Sequence, residues 1–297
     1  MPKMIELWRR EWSAEPGTTD PLAPFGLVGI STADSEGAAD LASFRWSQQA
    51  NFGVVPNPLM PNVFMARAYD LADPWGACGN TASGKCAACD TADPLRDCRT
   101  PFYMGPGIHP RLKKPVGQRL AVGAMATAYG SGQALTGPTI SGCTYSGTDS
   151  NVNGATLTVR FNATLLRGAR LTVQPYDRSY PNRSAFAALL NGTWIPLNIA
   201  LSGSSNALDI DLTPLYGGVP SAIKYAWGPN DGPPNTQDVN CCAAADTANG
   251  EECLPGGCPI LAAGVWGAPF GGLPANPFLA KVVGGRCACP TPQTCAE

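Results

Sequence analysis

Among the 297 residues there is one histidine, so any imidazole chemistry this chain performs by itself falls to His109. It stands in Gly107-Ile-His-Pro-Arg-Leu-Lys-Lys114. Pro110 suits the first position of a helix, which makes His109 the cap or the residue just before it. A positive helix end with Arg111, Lys113 and Lys114 close by disfavours a second proton on the ring. A neutral imidazole is what a general base must be at working pH. The competing reading is a capping or surface histidine with no chemistry. A base also needs something to activate, and no Gly-x-Ser-x-Gly elbow occurs. The serines of Gly203-Ser-Ser-Asn206 lie between two predicted strands and read as a turn. From the residues alone, no nucleophile emerges.

Twelve cysteines point away from a reducing compartment. Three acceptor sequons agree, at Asn162, Asn182 and Asn191. Cys78-x7-Cys86-x2-Cys89-x8-Cys98 could form an all-thiolate zinc site, since the x2 pair suits tetrahedral ligation. Two disulfides pinning the same stretch are the favoured reading; a bridge closing about 15–20 residues contributes roughly 3 kcal/mol. Cys241 and Cys242 are adjacent and unsuited to pairing with each other, and their partners, with Cys253 and Cys258 nearby, stay open. The start, Met1-Pro-Lys-Met-Ile-Glu-Leu-Trp-Arg-Arg10, lacks the apolar segment of a signal peptide, so the chain is expected to be missing its beginning.

Charge excludes whole classes. Twenty Lys+Arg against 22 Asp+Glu, scattered, give a net charge of −2 and no broad footprint for nucleic acid. No run reaches the roughly 18 apolar residues of a membrane span; Leu120 to Tyr129 comes nearest. With 44% apolar residues there is ample core material, while Gly (34) and Pro (29) make up more than a fifth of the chain. That balance favours a loop- and strand-rich protein of about two domains.

The elements that must position His109 are legible in outline. Met4, Ile5, Leu7, Trp8 and Trp12 form a helical stripe ended by Pro16-Gly17. Phe25 to Ile30 reads as a buried strand, 38–50 as a helix, and Asn62 to Tyr69 as a second strand. Residues 73–106 have no periodicity and read as a Cys-rich insertion. A helix over about 110–129 is expected to bury Val116, Leu120, Ala124 and Ala128. Alternating βα units imply a parallel, layered α/β sheet. After Gly130 the texture changes to short alternating strands: Ala155–Phe161, Trp194–Ile199, Ala207–Leu212, Ser221–Trp227 and Phe278–Val283. These suggest a β-sandwich, with the boundary near 131–138 and a peripheral tail carrying Cys287, Cys289 and Cys295.

Taken in order, these segments resemble the sialate O-acetylesterase family. The resemblance rests on Phe25-Gly-Leu-Val-Gly-Ile-Ser-Thr32, Phe44-Arg-Trp46, Asn51-Phe-Gly-Val-Val-Pro-Asn-Pro58 and Met60-Pro-Asn-Val-Phe-Met65. It continues through Ile108-His-Pro-Arg111, Val116-Gly-Gln-Arg-Leu120, Tyr225-Ala-Trp227 and Leu273-Pro-Ala-Asn-Pro-Phe278. It implies an α/β protein: a partial flavodoxin-like α/β/α layer of the SGNH type over 1–133, with the Cys-rich insertion at 74–106. A β-sandwich over 134–284 and a Cys-rich tail over 285–297 follow. It further implies a secreted or lysosomal glycoprotein without cofactor, removing acetyl groups from sialic acids through an acetyl-serine. The family's nucleophile sits in a Gly-Gln-Ser-Asn block that has no counterpart here, so the chain alone is expected to be inactive. His109 occupies the position of the family's base. Relatives orient that histidine with an Asp two or three residues earlier, where this chain has Gly107 and Pro106. Either Asp70 (or Asp73) takes that role or the site works as a Ser-His dyad. Arg45 and Gln48 are candidates for lining the acetyl-sugar cleft. The expected partner is an acetylated sialic acid or another acetylated glycan, such as xylan or pectin. A non-catalytic glycan-binding module is the other alternative, with Trp194, Trp227 or Trp266 as sugar contacts.

Overall fold

The computed structural model describes residues 1–31, 41–71, 112–146, 155–174, 186–227 and 256–288. The chain begins with helix α1 (Pro2–Trp12), which starts on Pro2 and runs out before Pro16. Strand β1 (Phe25–Gly29), helix α2 (Leu41–Ser47), strand β2 (Val63–Arg67) and helix α3 (Lys114–Ala128) follow. β1 and β2 pair in parallel, Phe25 opposite Val63 through Gly29 opposite Arg67. Strand alternation then decides the layers. Leu27, Val63 and Met65 face one way and cluster with Ile5 of α1. Phe64 faces the other way, onto α3, and the approach there is close. A Cβ on Gly123 would lie 2.6 Å from the Phe64 ring, so only glycine lets the helix seat. The result is an α/β/α layer with two strands at its centre.

α3 differs from its expected form in two respects. It begins at Lys114 with Pro115 in the first turn, four residues beyond the expected start at Pro110. The buried face is Pro115, Arg119, Val122, Gly123 and Ala126, not the row of Val116, Leu120, Ala124 and Ala128. The reason is Arg119, whose charge hides it from a search for apolar periodicity although it is almost completely buried.

The rest of the chain is β-rich. It comprises β3 (Ile140–Ser146), β4 (Thr156–Phe161), the short helix α4 (Ala163–Leu166), β5 (Arg170–Val173), β6 (Phe186–Leu190), β7 (Thr193–Pro196), β8 (Asn198–Leu201) and β9 (Ala207–Asp211). After a 3-10 turn at Thr213–Leu215 come β10 (Ala222–Tyr225), β11 (Ile260–Ala263), β12 (Gly272–Pro274), β13 (Phe278–Val283) and β14 (Arg286–Ala288). Nine of these strands form one antiparallel sheet in the order β7-β6-β10-β13-β14-β3-β4-β9-β8, and β12-β11-β5 form a smaller one.

The two ends of the large sheet are consecutive in sequence. The stretch expected as one strand over Trp194–Ile199 divides at Leu197: β7 pairs with β6, and β8 pairs with β9. The sheet therefore comes back on itself, and covalent continuity through Leu197 ties its two edges together. Asn191-Gly192, both at positive φ, makes the two-residue hairpin between β6 and β7, and leaves the Asn191 sequon exposed. The Asn162 sequon serves as a helix cap, its Oδ1 accepting from Leu165 N at 3.1 Å.

The tail is not peripheral as far as Ala288. Arg286–Ala288 is a strand between β13 and β3, and Cys287 is bonded to Cys143. Cys258 is also in a disulfide. The four cysteines at 78, 86, 89 and 98, with Cys241, Cys242, Cys253, Cys289 and Cys295, lie outside the described residues.

The large core is built from alternate residues such as Leu157, Val159, Phe161, Leu208, Ile210, Phe278 and Ala280, and it includes Trp46 and Tyr69 from the layer. The two parts thus share one core.

Candidate active site

In parallel α/β sheets, ligands sit beyond the carboxyl ends of the strands. Here those ends are Ile30-Ser31 after β1 and Ala68-Tyr69-Asp70 after β2. Three guanidinium groups hold them. Arg45 of α2, buried, donates from Nε to Ile30 O (3.1 Å) and from Nη2 to Ser31 O (3.0 Å). Its guanidinium carbon also lies 5.9 Å from the centre of the Tyr69 ring. Arg67 donates to Asn276 Oδ1 (2.7 Å), Gln49 Oε1 (2.7 Å) and Gly53 O (3.1 Å). Arg119 reaches down from α3 to Arg67 O (2.5 Å) and takes both oxygens of Asp70 at 2.6 Å. The Asp70–Arg119 pair is bidentate and almost completely buried.

Electrostatics follow from that burial. Arg67 has only neutral partners, and loss of water pulls its pKa down to about 10, with Tyr69 opposing and Arg45 adding to the fall. Burial, reinforced by the Asp70 charge, pushes the Tyr69 phenol well up. Tyr225 is raised for the same first reason, with Tyr69 next. The Tyr69 hydroxyl donates to Ala275 O. On the other side Asn276 donates to Thr136 Oγ1 (3.1 Å) and Thr139 Oγ1 (2.6 Å), so a polar seam runs from the layer into the β-rich part. Trp46 Nε1 donates to Pro277 O (3.0 Å) along the same seam.

The sequence-selected residues fall out as follows. Asp70 sits at the end of β2 with both carboxylate oxygens on Arg119, and its carbonyl accepts from Gly256 N at 2.8 Å. Arg45 braces the end of β1 from below. Gln48 bonds the backbone of the same strand, Oε1 accepting from Ile30 N (3.0 Å) and Nε2 donating to Val28 O (3.2 Å). His109 and Asp73 lie outside the described residues. Arg67, Arg119, Gln49 and Asn276 were not singled out. The signal for Arg119 and Asn276 was available, because both stand inside the motifs that carry the family resemblance. Among the described residues no cluster of three His, Cys, Asp or Glu could hold a metal ion, and no helix is long and apolar enough to cross a membrane.

Of the three tryptophans proposed as sugar contacts, two are packed. Trp194 carries Lys224 Nζ 4.3 Å above its ring, and Trp227 meets Trp46 edge-on at 4.9 Å. Trp266 is 77% exposed.

The seam and the doubled architecture define an α/β layer fused to an antiparallel β structure, and known proteins share it. The chain matches a carbohydrate acetylesterase from Xanthomonas citri over 95% of its own length and 46% of that enzyme's, with a TM-score of 0.52 at 18% identity. In sequence, the chain is 40% identical over 132 residues to the sialate O-acetylesterases of Homo sapiens and Pongo abelii, and 39% identical to that of Mus musculus. The match covers 43% of this chain and about a fifth of those relatives. No protein-family model matches. The chain is therefore similar to sialate O-acetylesterases, of whose length it spans about a fifth.

Proposed function

We propose that this chain is part of a carbohydrate O-acetylesterase, with acetylated sialic acid as its substrate and His109 as the general base. In this reading residues 1–133 belong to an SGNH-type layer and 134–284 to a β-sandwich. The observation that carries it is the 132-residue match to sialate O-acetylesterases. The polar bracing at the carboxyl ends of β1 and β2 is consistent with it. The chemistry is acyl transfer: the imidazole takes the proton of a serine supplied outside these residues, the serine oxygen bonds the acetyl carbon, and the bond from that carbon to the sugar oxygen breaks as the imidazolium returns the proton to the departing hydroxyl. Water, deprotonated by the same imidazole, then bonds the acetyl carbon, and acetate is released as the serine oxygen leaves and takes the proton back. Asp70 is assigned to hold Arg119, and through it α3, in place. The disulfide Cys143–Cys287 supports a secreted or lysosomal setting.

Because His109 is the sole histidine, its ring resonances are read without overlap. Nuclear magnetic resonance titration is expected to find its pKa lowered from the ordinary histidine value, because Arg111, Lys113 and Lys114 lie close by in sequence. A ring that stays protonated throughout the pH range in which the assembled enzyme releases acetate removes it as base. The lone chain is expected to release no acetate from O-acetylated sialic acid. A burst of acetate lost in His109→Ala would overturn the assignment of the serine to another segment. Exposure of Trp266 favours sugar contact by the β-rich part as a second reading, and Trp266→Ala is expected to abolish any binding on a glycan array.

A further inference from the structure

The hairpin between β6 and β7 carries one of the three acceptor sequons at its tip. Its turn is Asn191-Gly192, at φ of 50° and 82°, the pair of left-handed residues that a two-residue type I′ connection requires. Leu190 pairs with Thr193 directly below the turn, so the whole sequon Asn191-Gly192-Thr193 stands at the end of the hairpin. All three of its residues are exposed. A glycan is bulky and hydrated, and an acceptor asparagine has to stand in a surface loop to carry it. The Asn162 sequon meets that need poorly. Asn162 is half-buried, its Oδ1 accepts from Leu165 N at 3.1 Å, its own amide donates to Thr139 O at 2.9 Å, and Thr164 lies inside α4. Asn182 lies outside the described residues. The strands below the tip are apolar and incompletely covered, with Leu189, Leu190, Trp194 and Ile195 each only half-buried. Leu189 stands opposite Trp194 across the pair.

We propose that Asn191 is an N-glycosylation site, that Asn162 is not, and that the glycan covers the apolar end of the β6–β7 hairpin. The co-reactant is an oligosaccharide carried on a lipid pyrophosphate. Asn191 Nδ2 bonds C1 of the first sugar, the bond from C1 to the pyrophosphate oxygen breaks with its electron pair, and the amide proton passes to a base of the transferase. Nothing is oxidised or reduced. The inference rests on the secreted or lysosomal setting proposed above, which supplies that reaction, and does not need the esterase reading. Cys143–Cys287 is an independent sign of the same compartment. A hydrated, uncharged group over half-exposed leucine and tryptophan removes an apolar patch from the surface without adding a charge.

The test secretes the full chain from insect cells behind a cleavable signal sequence and maps its tryptic peptides. Trypsin puts each sequon on a peptide of its own: 161–167 holds Asn162, 179–183 holds Asn182 and 184–224 holds Asn191. Peptide N-glycosidase in heavy-oxygen water is expected to leave a labelled aspartate in place of Asn191 and to leave Asn162 unaltered. Asn191→Gln and Thr193→Ala are each expected to abolish the label, and Thr193→Ser to keep it. Formation of Cys143–Cys287 in each variant shows that the sheet is folded. Removing the glycan from the folded protein is expected to promote self-association, read by light scattering. A secreted, disulfide-bonded protein with bare Asn191 overturns the inference and leaves the proposed setting standing. Label at Asn162 as complete as at Asn191 overturns the structural selection between them. Unchanged scattering after removal overturns the covering role. Glycosylated Asn191 with Cys143 and Cys287 reduced removes the disulfide as a sign of the setting and leaves the site.

Discussion

The two-stranded layer and the nine-stranded sheet both have to finish their strands and close their edges, and they do so by different means. In the layer, long polar side chains do the work. Arg9 donates to Ala23 O, Arg45 to Ile30 O and Ser31 O, Arg119 to Arg67 O, and Gln48 to Val28 O. In the sheet, the backbone does it: the two edges are consecutive strands, and Cys143–Cys287 bridges β3 and β14. A layer braced by guanidinium groups leaves its strand ends polar, and depends on single side chains. A sheet closed by the chain itself depends on apolar volume and covalent links.

That contrast makes the Asp70–Arg119 pair the sharpest place to break it. Asp70→Asn or Arg119→Met alone is expected to cost about 3–5 kcal/mol in urea unfolding, because each leaves a buried charge without its partner. Asp70→Leu combined with Arg119→Met is expected to recover much of that loss. Equal and additive losses would mean that the pair is no clamp. In the sheet, Cys143→Ser with Cys287→Ser is expected to cost about 2–5 kcal/mol, since the bridge spans 144 residues of sequence. If that pair of changes loosened the layer's amide protection before the sheet's, the division drawn here would fail.

Gly123→Ala tests the seat of α3 on the strands. The added carbon meets the Phe64 ring, and a loss of about 1–3 kcal/mol is expected. No loss would show that Phe64 gives way freely.

The smallest effect is alkaline. Tyr69 and Tyr225 have pKa values raised above the ordinary 10.0, so their stabilisation is complete below that pH and is lost as pH rises through the folded values. Arg67 runs the other way, since its folded value of about 10 lies below the ordinary 12.5, and stability gains between those two pH values. Two tyrosines against one arginine leave a net decline. Tyrosinate absorbance should therefore show Tyr69 and Tyr225 ionising only as the protein unfolds. Reversible ionisation of all eight tyrosines in the folded state would sink this account.

Legibility followed the same division. β1, β2 and β13 were readable because each is a short apolar or alternating run between turn residues, which local backbone chemistry recognises. β6 (Phe-Ala-Ala-Leu-Leu) and β3 (Ile-Ser-Gly-Cys-Thr-Tyr-Ser) were not, because alanine, leucine, glycine and serine do not favour strands, and pairing within the sheet overrides that preference. The motif residues Arg45, Arg119 and Asn276 were visible as a resemblance but not as a structure.

The sequence by itself determined the alternation of helix and parallel strand before Gly130, the antiparallel texture after it, the limited charge and the single imidazole. All of these are properties of neighbouring residues or of counting. Only the tertiary structure decided that Arg119 faces inward onto Asp70, that Gln48 bonds the backbone of β1, that β7 and β8 close one sheet, and that Cys287 pairs with Cys143. Each of those joins residues far apart in sequence, where the partner, and not the residue type, sets whether a charge, an amide or a thiol can be buried.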